Sequence, residues 1–318
     1  MSNLISDIKI EKYKCFNDFE ANNLTRVNLI GGENNVGKTA FIEACYLVVS
    51  SNKVTNLLFA LTMIEKNRDK LNIFLYDETN IIEILQSNKV ISIKSLNNIK
   101  YELNDNDFNP IIEIEINDIS TKIDFNNKIL FENSKNIIFI DNFGFTNSEL
   151  KEVYKFVQFK DKDIQVNSFL KNFNFRNPKF KIIDDKPYLK TDDTEEYNQI
   201  NKYGDGIKHY ISIICSLYAC ENGYLFIDEI ENGIHYTLYD KLWEIIFQIA
   251  QEQNVQVFVT THSKECIESY NNISQKLNPS ITTYIELGKD KQDNIKANVM
   301  SLEQLNRNII IGNGVRGW

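Results

Sequence analysis

Gly32-Glu33-Asn34-Asn35-Val36-Gly37-Lys38-Thr39 is the stretch on which the reading of this chain turns. It matches the pattern GxxxxGK[ST] in full. Upstream, Arg26 to Ile30 (RVNLI) is a short apolar run of strand character that ends in Gly31-Gly32. Downstream, Thr39 to about Ser50 (TAFIEACYLVVS) reads as a helix, with Phe41, Ala44, Cys45 and Val48 on one face. Strand, glycine-rich loop and helix together form the context of a phosphate-binding loop. The glycines let the backbone wrap an anion, so that several N–H groups and the helix N-terminus face it. A lysine at this position reaches β- and γ-phosphates as a point charge, and the following hydroxyl suits Mg²⁺. The loop therefore predicts ATP contacts from Gly32, Asn34, Asn35, Val36, Gly37, Lys38, Thr39 and Ala40, with Thr39 also a Mg²⁺ ligand.

Three further stretches fit around this loop. Tyr224 to Ile227 is an apolar strand that runs into Asp228-Glu229. Asp228 stands where a carboxylate helps hold Mg²⁺, and Glu229 is the candidate general base for the attacking water. The plainer reading of such acids is a helix N-cap. Val257-Phe258-Val259-Thr260-Thr261-His262-Ser263 is a second buried strand with a histidine just past its end. In an open parallel sheet that edge is where ligands bind, so His262 is a second catalytic candidate. Tyr203-Gly204-Asp205-Gly206-Ile207-Lys208 opens another helix with two glycines. Gly204, Asp205 and Gly206 form either a simple turn and cap or a second anion-facing helix N-terminus. One chain needs only one such site per nucleotide, so the second suits a nucleotide held by a partner chain.

The rest of the chain sets these motifs in order. From Gly204 onward, helices at about 206–221 and 236–252 alternate with strands at 224–228 and 255–260, which predicts a parallel α/β sheet. Ile5 to Tyr13 alternates as a strand. Residues 51–80 read as more helix with a variable loop. Between 90 and 140, short alternating runs (VISIKSL, YELN, IIEIEIND, STKIDF, KILFE) predict an antiparallel β subdomain. Lys38 and Asp228 must meet at one phosphate. The expected organisation is thus one domain over 1–318, formed by 1–50 and 200–318, with an inserted β and helical lobe at about 51–199.

Composition bounds the function. The 318 residues are 42% hydrophobic and 25% charged, enough for a sizeable core. No apolar stretch is long enough to span a bilayer, and the N-terminus lacks the pattern of a signal peptide. The net charge of −9 argues against a general polyanion binder. Residues 151–190 depart from this, with ten Lys or Arg against five acids and six interleaved phenylalanines. That composition fits either nucleic-acid contact or a solvated lobe with aromatic core residues, and the solvated lobe is favoured. Five cysteines without a CxxC read as buried thiols in a reducing cytoplasm, and three histidines without ligand spacing make structural zinc improbable.

In their order, these motifs resemble the ABC-type ATPase heads of the RecF, SMC and OLD group, and above all the stand-alone AAA family ATPases. The opening IKIEKYKCFNDFE…NLTRVNLIGGENNVGKTAFIEA, the GDGIKHY signature, IDEIENGIHY, VTTHS and the final GVRGW all carry the resemblance. It brackets almost the whole chain and covers 51–200 poorly. It implies a two-lobed head that dimerises head-to-tail around two ATP molecules. Each site would combine Lys38, Thr39, Asp228, Glu229 and His262 of one chain with Gly204 to Gly206 of the other. Glu231, Asn232, Gly233 and His235 fall at the D-loop. No Q-loop glutamine is assigned. YGDGI in place of LSGGQ weakens a transporter reading, and no long coiled coil or acidic nuclease domain is present. The expectation is an ATP-hydrolysing homodimer that powers or gates a DNA-related process, repair or phage defence, with a separately encoded effector and without membrane insertion. The alternatives are the nucleotide-binding subunit of a transporter and a nucleotide-sensing scaffold with negligible turnover.

Overall fold

In the computed structural model the described residues are 4–69, 90–104, 111–124, 132–194, 196–277 and 279–311. The strands are β1 (Ile8–Tyr13), β2 (Phe16–Ala21), β3 (Val27–Gly32), β4 (Val90–Lys94), β5 (Ile99–Asn104), β6 (Ile111–Ile116), β7 (Ile119–Asp124) and β8 (Ile137–Ile140). They continue as β9 (Lys179–Ile183), β10 (Lys186–Lys190), β11 (Asn198–Gln199), β12 (Tyr224–Ile227), β13 (Gln256–Thr260), β14 (Thr282–Lys289) and β15 (Ile295–Met300). The helices are α1 (Lys38–Ser50), α2 (Val54–Asp69), α3 (Asn147–Phe159), α4 (Asp163–Phe169), α5 (Asp205–Ala219), α6 (Tyr239–Glu252), α7 (Lys264–Leu277) and α8 (Leu302–Ile311).

The site is built on a six-stranded sheet of order β15-β14-β3-β13-β12-β8. All its neighbours run parallel except β14 and β15. Strands β3, β12 and β13 are buried along almost their whole length, as helix-connected parallel strands are, with Asn28, Gln256 and Thr260 as their buried polar residues. Register fixes the site: Ile227 pairs with Val259, Thr260 with Ile30, and Ile227 with Ile140. The C-terminal ends of β3, β13, β12 and β8 therefore share one edge.

Helix α1 departs from the single apolar face read in its sequence. Every residue of it except Thr39 is buried, including Lys38 and Glu43. The cause is its position between the parallel sheet and a second, antiparallel sheet, with β12 and β13 on one side and β1 and β4 on the other. A helix covered on both sides needs no polar stripe.

The antiparallel pattern of 90–124 is present as β4–β7, but these strands do not stand apart. Strand β1 pairs with β2 on one side and β4 on the other, so the order is β2-β1-β4-β5-β6-β7. The N-terminal hairpin and the inserted strands make one sheet that roofs α1. The KILFE run lies almost wholly outside the described residues. Strand β8, although it falls within 51–199, belongs to the parallel sheet: Ile137 to Ile140 pair with Tyr224 to Ile227. Four apolar residues without alternation are what an edge strand pressed against β12 requires.

The remaining middle segment is a lobe of α3, α4 and the three-stranded sheet β11-β10-β9, packed on α5. Four of its ten bases form ion pairs. Lys151 pairs with Asp185, Lys155 with Glu152, Lys160 with Glu221 and Arg176 with Asp193. Three more acids, Asp192, Glu195 and Glu196, follow the segment directly beside Asp193. Of its phenylalanines, Phe180 is fully buried, Phe169, Phe173 and Phe175 pack on the core, and Phe159 faces solvent. No helix among the described residues is long and apolar enough to cross a membrane.

Candidate active site

The loop from Gly32 to Lys38 is shaped by backbone conformations that glycine and asparagine tolerate. Gly32, Asn35 and Gly37 take positive φ of 133°, 60° and 86°. A Cβ on Gly32 would stand 2.2 Å from the Leu287 carbonyl oxygen, and one on Gly37 would stand 2.6 Å from Cys15 Sγ. Both glycines are thus required by space as well as by φ. Glu33, Asn34 and Asn35 are exposed at the tip, whereas Val36, Lys38 and Ala40 are buried beneath it. No side chain caps the N-terminus of α1, so its first N–H groups stay free for an anion. Lys38 donates from Nζ to the carbonyls of Gly32 at 2.9 Å and Glu33 at 2.6 Å, spanning the loop from beneath. Burial pushes its ammonium down to about 8, while Asp228, Glu229 and Glu231 favour the charged form.

Across the sheet edge, Asp228 is 6% exposed. Its carboxylate accepts from Thr39 Oγ1 at 3.0 and 3.1 Å and from Thr260 Oγ1 at 2.6 Å. Burial raises it to about 6, and the two hydroxyls act against that rise. Oxygen donors from Thr39 and a buried Asp228, beside a loop for phosphates, suit a hard cation such as Mg²⁺, which takes one or two protein oxygens and completes its shell with phosphate and water. Among the described residues no group of three or more His, Cys, Asp or Glu converges as a metal cluster.

Glu229 adopts a positive φ of 52°, a conformation that costs a non-glycine residue about 1 kcal/mol or more. Its N–H donates to Thr260 Oγ1 at 2.8 Å, which holds the turn. His262 Nε2 lies 3.3 Å from Glu229 Oε1. The His262 N–H donates to Glu231 Oε1 at 2.5 Å, which fixes the loop that carries the ring. A cavity of about 560 Å³ opens here, lined among others by Thr39, Asp141, Asp228 and Glu229. Thr39, Asp228, Glu229 and His262 therefore meet as their sequence positions suggest.

Asp205 lines a second cavity of about 560 Å³ that Glu229 borders and to which the Gly32–Thr39 loop contributes nothing. Gly204 opens α5 at φ 96° with no side-chain cap. Gly206 packs on the turn at Gly233, where a Cβ would stand 1.8 Å from the Gly233 carbonyl oxygen.

Two contributors escape a reading of the sequence. Thr260 joins Asp228 to the Glu229 backbone. The Asp141–Gly144 loop after β8 borders both cavities. The available signal was an apolar run ending in Asp-Asn, weaker than the Asp-Glu after β12 because it carries one carboxylate instead of two. It is this loop, and not a glutamine, that follows β8 at the sheet edge.

The model of the AAA ATPase domain matches residues 145–267, which hold the Gly204–Gly206 segment, Asp228, Glu229 and His262. An ATP/GTP phosphatase of Helicobacter pylori is 25% identical over 83% of this chain and 87% of its own length. Among solved structures, an SMC head bound to the C-terminal winged-helix domain of ScpA aligns with a TM-score of 0.54 at 11% identity, over 95% of this chain and 99% of that one. The SMC head from Pyrococcus furiosus with an extended coiled coil, bound to a ScpA C-terminal domain, aligns with a TM-score of 0.50 at 9% identity, over 98% and 99%. By fold the chain is similar to these SMC heads, and its residues 145–267 match the AAA ATPase domain.

Proposed function

We propose that this chain hydrolyses ATP with Lys38 and the Gly32–Ala40 backbone holding the phosphates, Thr39 and Asp228 holding Mg²⁺, and Glu229 and His262 flanking the attacking water. The observation that supports it is the convergence of Thr39, Asp228, Glu229 and His262 on one sheet edge beside the loop. Bound Mg²⁺ supplies neutralisation of the phosphate charge. The chain's own groups do the rest. Lys38 and the free N–H groups of α1 bind and orient the phosphates. Glu229 accepts the proton of the water, and His262 stands beside it as the polar group on the other flank.

Two copies pair head-to-tail in this reading, so that Gly204 to Gly206 of one copy face the nucleotide of the other. Asp205 lines a cavity bordered by Glu229 to which no residue of the Gly32–Thr39 loop contributes, in keeping with a nucleotide brought by a second copy. The assembly works in the cytoplasm, in keeping with five free cysteines, and gates a DNA-related process such as repair or phage defence through a separate effector. The SMC heads it resembles in fold are seen with a separate ScpA domain, which supports an effector of that kind. Light scattering of the Glu229→Gln protein with ATP tests the dimer, and phosphate release with and without duplex DNA tests the setting. A protein that stays monomeric with ATP bound removes the head-to-tail arrangement.

A further inference from the structure

Asn232 lies just past Glu229 in the turn that leads to Gly233. Its side-chain amide carries two N–H bonds. Nδ2 donates at 2.6 Å to the backbone carbonyl of Asn142, in the loop after β8, and at 3.2 Å to Glu229 Oε2. The other carboxylate oxygen, Oε1, faces His262 Nε2 at 3.3 Å. Glu229 is thus bracketed, one oxygen by the histidine and one by the amide.

The bracket is anchored at its far end. The Asn142 loop lines both the cavity that holds Thr39 and Asp228 and the cavity that holds Asp205. Its Gly144, at φ 70°, packs close against the His209 ring of α5, where a Cβ would lie 3.3 Å from Nδ1. The Asn232 amide therefore ties the candidate base to a loop that rests on the helix opened by Gly204 to Gly206. An amide is suited to this: it offers donors to two acceptors at once, which a carboxylate in its place could not.

We infer that Asn232 is a positioning residue for hydrolysis, holding the Glu229 carboxylate toward the water site and linking it to the Asn142 loop. This rests on Glu229 being the base. Because Asn232 acts through Glu229, its removal should lower kcat and leave nucleotide binding nearly intact.

The test is a double-mutant cycle on the full chain, read by phosphate release, with nucleotide affinity measured by a fluorescent ATP analogue. Asn232→Asp keeps the shape of the side chain and replaces both donors with acceptors, and Asn232→Ala removes them without adding charge. Each should lower kcat roughly 100-fold, as misplacement of a reacting group by about 1 Å does. Affinity should stay within about threefold. In a Glu229→Gln background neither should lower the residual rate further. Parental kcat in both Asn232 variants, or the same fractional loss in the Glu229→Gln background, overturns the inference while leaving Glu229 as base. A Glu229→Gln protein at the parental rate overturns the base assignment and this inference together.

Discussion

Thr39 Oγ1 lies 3.0 Å from Asp228 Oδ2 although 189 positions of chain separate the two residues. The hydroxyl partly offsets the burial that raises Asp228 to about 6. Charge on this carboxylate is therefore costly to the fold without a cation and useful once one is bound. Asp228→Asn keeps the shape and an oxygen to accept from Thr39 or Thr260. We expect its thermal midpoint near pH 7.5, without divalent cation, to equal or exceed that of the parent. Its Mg²⁺-dependent phosphate release should fall by roughly 100-fold or more. A large fall in midpoint would mean that the charge itself holds the fold.

Lys38 predicts how ATP affinity depends on pH. Burial brings its ammonium down to about 8, so above that pH the nucleotide-free protein carries a neutral lysine. The polyphosphate favours the cation, and binding near pH 8 takes up a proton. ATP affinity should then decline from pH 7 to pH 9, and calorimetry in buffers of different ionisation enthalpy should detect the uptake. Stability without nucleotide should move the other way. Between about 8 and the ordinary lysine value the unfolded chain binds more protons, so that stability rises with pH across this window. Lys38→Ala should bind no ATP and lose both trends.

Gly204 and Gly206 sit two residues apart and are needed for different reasons. At Gly204 a Cβ would meet open space, but φ is 96°. Gly204→Ala should cost on the order of 1–2 kcal/mol through backbone strain alone. At Gly206 the Cβ would stand 1.8 Å from the Gly233 carbonyl, so the D-loop must move. Gly206→Ala should shift Glu229 and Asn232 with it and depress phosphate release far more than Gly204→Ala does at matched stability. Equal losses in the two variants would argue against contact between signature segment and D-loop as the cause.

The parts of the site that were legible in the sequence are those whose chemistry is local. Gly32 to Thr39 declare themselves because strand, loop and helix are contiguous, and Asp228-Glu229 and His262 because each closes an apolar strand. What was hidden depends on pairing at a distance. Nothing near Ile137 says that it pairs with Tyr224, and nothing in VISIK says that it extends the sheet begun by β1. The amphipathic reading of α1 failed for the same reason, since the second sheet that covers it comes from residues 40 or more positions away as well as from the N-terminal hairpin. Thr260 and Asn232 could be read as motif members, but their hydrogen bonds exist only once β12 lies beside β13 for Thr260 and beside β8 for Asn232.

His209 sets an acid limit on stability. It is buried on α5 beneath the Asp141–Gly144 loop, and its Nε2 has no hydrogen-bond partner. Burial lowers it to about 4, against the Ile230 carbonyl, which favours the cation. The folded protein therefore holds a neutral ring at pH 7. Between about 6.5 and about 4 the unfolded chain binds the extra proton, so stability falls as pH drops through that window. The full effect is about 3 kcal/mol at most, reached only near pH 4. His209→Gln keeps a polar side chain of similar reach without a titrating ring. Denaturant unfolding of parent and variant from pH 7 to pH 4 should give curves that converge as the pH falls, with the variant less dependent on acid. Parallel curves across the whole range would place the acid sensitivity of the fold elsewhere.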